Sequence, residues 1–76
     1  MPDRLSRKQY DTLRLLADRP AEWMGAKCLV YDPIQHSYVR LHKGTLGSLL
    51  ERQFIYWNRD ECGITDIGRE ALAVNR

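Results

Sequence analysis

Between residues 37 and 59 the chain sets Arg40, Lys43, Arg52 and Arg59 against a single acid, Glu51. This is the most basic stretch of a protein whose net charge is only +2. Cations gathered this way attract a polyanion, and phosphate is the usual one. Interleaved among them are His42, Thr45 and Ser48, side chains that hydrogen-bond without carrying a fixed charge. Other chemistries find less support. Cys28, His36, His42 and Cys62 are the only soft or imidazole ligands. No C-x2-C pair is among them, so no structural metal is expected. Asp60 and Glu61 are adjacent and cannot flank one scissile bond. With no nucleophile elbow and no phosphate-binding glycine loop, neither catalysis nor a cofactor is expected.

Composition fixes the setting. At 76 residues, with 43% hydrophobic and 29% charged, the chain reads as one globular domain over residues 1–76. A domain of this size buries roughly 60% of the surface its unfolded chain exposes, enough for one core. A pI near 8.7 permits a polyanionic partner without demanding one. The first ten residues lack an apolar targeting segment and no run is long enough to span a membrane, so a cytoplasmic setting with free thiols is expected.

The elements that must position these residues can be read in order. Ser6 and Gln9 form a capping box, with Leu5 and Tyr10 as its hydrophobic staple. Tyr10, Leu13, Leu16 and Ala17 then recur at helical spacing until Pro20 stops the helix. Residues 21–41 admit two readings. Ala26, Leu29 and Val30 at i, i+3, i+4 would give a helix starting near Gly25 one buried face. The strand formers of residues 28–31 and 38–41, on either side of Asp32-Pro33, would instead give a hairpin. Next comes a central helix over residues 42–53, with Leu46, Leu49 and Leu50 on one face. Gly44 and Gly47 are costly inside it, at about 1 kcal/mol each against alanine. Gly44 fits a first turn, and Gly47 implies a close backbone neighbour. Residues 54–58 read as a strand whose alternation sends Phe54 and Tyr56 to one side and Ile55 and Trp57 to the other. A turn over residues 59–63 and a short strand at Ile64 follow. Thr65 or Asp66 caps a last helix, with Ile67, Ala71, Leu72 and Val74 as its apolar contacts.

Two segments, TLGSLLERQFI and ITDIGREAL, resemble the winged helix-turn-helix superfamily, most closely its multiple-antibiotic-resistance regulator (MarR) class. The first is similar to that family's recognition helix and first wing strand, the second to its second wing strand and final helix. The resemblance implies an α+β fold: a minimal winged helix-turn-helix with three to four helices and a two- or three-stranded antiparallel wing sheet. Because a winged helix needs a second helix, it tips the choice over residues 25–30 toward the helix. One departure is local: where the family has a glycine at the end of the recognition helix, this chain has Gln53.

The resemblance further implies a bacterial or phage transcriptional regulator or accessory factor that binds double-stranded DNA, with the central helix in the major groove. Its first turns would then set His42, Lys43, Thr45 and Ser48 at or near the bases, Arg40 and Arg52 on the phosphates, and Arg59 in the wing. Asp60 and Glu61 offset Arg59 there. A single module makes few phosphate contacts, so a homodimer or a protein partner is expected for useful affinity. The alternative is a winged helix that docks on a protein, for example a phage protein modulating a host nucleic-acid machine. Tyr31, Tyr38, Tyr56 and Trp57 would anchor such a partner or stack on bases.

Overall fold

The computed structural model describes residues 4–75. Eight elements follow one another: α1 (Arg7–Asp18), β1 (Ala21–Met24), β2 (Lys27–Asp32), β3 (Ser37–Arg40), α2 (Lys43–Glu51), β4 (Ile55–Trp57), β5 (Glu61–Ile64) and α3 (Asp66–Val74). The five strands form one antiparallel sheet in the order β3-β2-β1-β5-β4. The coarse α+β expectation therefore holds, with three helices among the described residues.

Helix α1 starts as its sequence requires. The Gln9 amide donates to Ser6 Oγ at 3.2 Å, and the Ser6 amide donates back to Gln9 Oε1 at 2.9 Å. Leu5 and Tyr10 pack against the core beside it, and the Leu5 amide donates to Asn75 Oδ1 at 3.1 Å, joining the two ends of the fold. Leu13 and Leu16 are fully buried.

Residues 21–41 correct the helical expectation: they form three strands, and the sheet has five strands instead of two or three. The reason is a period of two. In β2, Cys28, Val30 and Asp32 face inward while Lys27, Leu29 and Tyr31 face outward. A helix would have placed Leu29 and Val30 on the same side. Gly25, at φ +67, makes the two-residue turn that sets Met24 opposite Lys27, and Pro33 ends β2. Pairing of Ala21 with Cys62 and of Glu22 with Glu61 then fuses this meander to the β4–β5 hairpin. That hairpin is tighter than expected, because β5 begins at Glu61. Asn58 Oδ1 accepts the amides of Asp60 and Glu61 at 2.9 and 3.0 Å and closes its turn.

The core lies between the helices and the inner sheet face. Leu13, Leu16, Val30, Leu46, Leu49, Cys28 and Cys62 are its largest fully buried side chains. The two cysteines are free. They stand on β2 and β5, on either side of β1, so two strand spacings hold their Cα atoms at least about 9 Å apart, beyond disulfide reach. Burial, with a smaller contribution from the neighbouring Cys28 thiol, pushes Cys62 up to about 12. Among the described residues no helix is long and apolar enough to cross a membrane.

The end of α2 and the start of α3 share one joint. The Gln53 amide donates to the Leu50 carbonyl and the Phe54 amide to the Leu49 carbonyl, both at 3.0 Å, with Gln53 at φ +63. This is a Schellman cap with glutamine where glycine is usual. Thr65 caps α3 by accepting the Gly68 amide at 3.1 Å, and its hydroxyl donates to the Gln53 carbonyl at 2.7 Å. Gly68 is required here, because a Cβ would overlap the Phe54 carbonyl oxygen. Ile67 and Val74, expected as apolar contacts, point to solvent at 49% and 71% exposure.

Candidate functional site

The N-terminal end of α2 is built from its cap outward. His42 is the N-cap residue, in extended backbone, and its Nδ1 accepts the Thr45 amide at 3.4 Å. That role requires Nδ1 to be unprotonated. The imidazole folds back over the first turn, where a Cβ on Gly44 would stand 2.9 Å from His42 Cε1. Gly44 is therefore the space into which the ring packs. Gly47 is different, since a Cβ there would meet nothing within 4 Å. The close backbone neighbour expected for it is therefore not found among the described residues. Leu46 and Leu49 turn inward, so the outward face of α2 carries Lys43, Gly44, Gly47 and Glu51, with open space at Gly47 between the lysine and the acid.

The seven residues singled out from sequence do not form one surface. His42 and Lys43 lie together, exposed, at the start of α2. Thr45 and Ser48 turn toward α1: Ser48 Oγ donates to the Thr45 carbonyl at 2.9 Å and accepts Gln9 Nε2 at 3.0 Å. Arg52 is a clasp. Its Nη1 donates to the Arg4 carbonyl at 2.9 Å and to Gln9 Oε1 at 3.3 Å, and its guanidinium lies 4.5 Å from the Phe54 ring centroid. Arg40 pairs across the sheet with Leu29, so its side chain leaves on the outer sheet face. Arg59 is exposed in the β4–β5 turn, one strand beyond the far end of α2.

Lys8, which carried no signal in the sequence, lines the cleft where α1 meets β3 and α2, together with Asp11, Arg40, His42 and Thr45. Asp11 is bridged to Arg7 Nε at 3.3 Å. A second cleft, of about 440 Å³, opens beside it, lined by Ala26, Cys28, Arg40, Leu41, His42 and Lys43. The result is an N-terminal helix end, where backbone N–H groups and the helix dipole favour an anion, flanked by Lys8 and Lys43. Among the described residues no three His, Cys, Asp or Glu side chains converge on a metal position.

At the opposite edge of the sheet the hairpin is pinned by Tyr56. Its hydroxyl donates to Glu61 Oε2 at 2.6 Å, and the ring lies over Gly63. The hydrogen bond to the carboxylate raises the Tyr56 pKa. Trp57, 42% exposed, meets Trp23 edge to face at 5.7 Å. No protein-family model, no curated protein and no solved structure matches this chain.

Proposed function

We propose that the protein binds double-stranded DNA through the N-terminal end of α2, as a small transcriptional regulator or accessory DNA-binding factor of winged-helix type. One observation carries the reading. The first turns of α2 present exposed His42 and Lys43, with Lys8 in the cleft that His42 lines, and Gly47 leaves the helix face beyond them bare. A bare face lets a helix backbone come close to a groove wall, while the flanking cations meet phosphates. Part of the element order supports the same reading: leaving aside β2 and β3, α1, β1, α2 and the β4–β5 hairpin follow one another, with β1 paired to β5. In this account β2 and β3 stand where a helix-turn-helix would carry its first helix.

The mode of binding follows from the charges. Two lysines neutralise about two phosphates, so the affinity should fall with a log-log salt slope near about −2. Recognition of sequence then needs a second copy or a partner. Fluorescence anisotropy with a random duplex at low salt tests the proposal. Binding at tens of micromolar, within the roughly 10⁻⁴–10⁻⁶ M range of non-specific binding, supports it, and no binding there refutes it.

A protein-docking role is the second reading, favoured by the outward stripe of Ile67 and Val74 on α3. Capture of a host protein that survives nuclease treatment, and is lost on Ile67→Ser with Val74→Ser, would favour it.

A further inference from the structure

The core-facing side of the sheet is filled by Ala21, Cys28, Val30, Ile55 and Cys62 under the helices. The other side remains open over β2 and β3, where Tyr38 is 62% exposed. Cross-strand pairing sets Tyr31 beside Tyr38, and their rings meet edge to face at 5.5 Å and 73°. The Arg19 guanidinium lies 5.2 Å from the Tyr31 centroid and covers that ring. Tyr38 is thus the aromatic surface left for a ligand. Arg40, two residues along the same strand, and Lys27, at the end of β2, project from the same face by strand alternation.

The chemistry of this patch selects its occupant. Leu29 is only partly exposed, and Met24 stands one strand away, opposite Lys27. The patch is therefore aromatic and cationic at its centre, and its exposed aliphatic side chains, Met24 at 59% and Ile34 at 73%, stand at its margins. Two acids adjoin it. Asp18 Oδ2 is bridged to Arg19 Nε at 3.1 Å, and Glu22 lies on β1 beyond Leu29. Neither β2 nor β3 puts an acid on this face, since Asp32 turns inward. An open ring flanked by cations suits a base with its phosphates, and only an unpaired strand can offer a base's face. We infer that the outer face of β2 and β3 binds single-stranded nucleic acid, with a base stacked on Tyr38 and its phosphates met by Arg40 and Lys27.

This site is separate from the α2 surface, and its test keeps the two apart. A fluorescein-labelled oligothymidylate is titrated with the 76-residue chain at low salt, with circular dichroism confirming the fold of each variant. Tyr38→Ala should weaken binding about tenfold, while Tyr38→Phe, which keeps the ring, should bind like the wild type. Arg40→Gln should lower the salt slope by about 0.7. Lys43→Ala should weaken duplex binding and leave the oligothymidylate unaffected. The inference is overturned if the oligothymidylate does not bind, if Tyr38→Ala binds as well as wild type, if Tyr38→Phe loses as much as Tyr38→Ala, or if Lys43→Ala weakens both ligands equally. Failure of duplex binding alone would refute the α2 proposal and leave this one standing.

Discussion

Replacing Gln53 by glycine should stabilise the protein, although it removes a side chain. Gln53 holds a left-handed backbone at φ +63, a conformation that costs an L-residue about 1–2 kcal/mol and glycine almost nothing. It is kept there by the two hydrogen bonds that close α2 and by the Thr65 hydroxyl on its carbonyl. All three involve main-chain atoms of residue 53 or its neighbour, so glycine preserves them. The Gln53 side chain is exposed and leaves no cavity. Against the relief stands the greater freedom of glycine in the unfolded chain, about 0.5–1 kcal/mol. The net gain should be about 0.5–1 kcal/mol. For a domain this small that is roughly 3–6 °C in Tm, measured by reversible thermal unfolding followed by circular dichroism. Gln53→Ala keeps the strain and should melt close to the wild type. A Gln53→Gly variant no more stable than wild type would show that the chain does not leave α2 through a left-handed cap.

Other consequences are equally measurable. Gly68→Ala should destabilise by about 2–3 kcal/mol in urea unfolding, because α3 must retreat from the Phe54 carbonyl; a change under about 0.5 kcal/mol would refute the close approach. Arg52→Ala should cost about 1 kcal/mol through loss of the clasp on Arg4 and Gln9 and should barely change the salt slope of duplex binding, whereas a fall of about 0.9 would return Arg52 to the phosphates. Cys62 is pushed up from 9.0 to about 12, so its neutral form belongs to the folded state. Its contribution is whole below about pH 9 and is lost as the pH rises toward about 12, which the urea midpoint should follow. At neutral pH both buried thiols should resist a thiol reagent until the protein unfolds, and rapid native labelling would contradict their burial.

What the sequence disclosed and what it hid divide along physical lines. Local signals were legible: the Ser6–Gln9 box, the stop before Pro20, the leucine face of α2 and the Thr65 cap each depend on residues within a few positions. The glycine of ITDIGREAL, Gly68, is explained by the Phe54 carbonyl that stands where its Cβ would be. Residues 21–41 misled because Ala26, Leu29 and Val30 satisfy a helical period by coincidence, while Leu29 and Val30 are held in a strand by Glu22 of β1 and by Arg40 and Val39 of β3, and only β1 is tied to the distant β5. Pairing with Leu29 across the β2–β3 hairpin sends Arg40 to the outer sheet face. Arg52 looked like a phosphate ligand because its contacts to Arg4 and Gln9 lie more than forty residues back in the chain. Lys8 was invisible as a site residue for a similar reason: only the packing of α1 on α2 brings it to the cleft. The exposed pair His42 and Lys43, at the start of a helix foreseen from its leucines, is the part of the candidate site whose placement was legible directly.

The most direct test of the account is a duplex DNA titration followed through the backbone amides by heteronuclear NMR. DNA binding through α2 predicts the largest shifts at His42, Lys43, Gly44 and Gly47, with Lys8 following and α3 quiet. Shifts confined to α3 or to the β4–β5 turn, with the first turns of α2 unmoved, would contradict it.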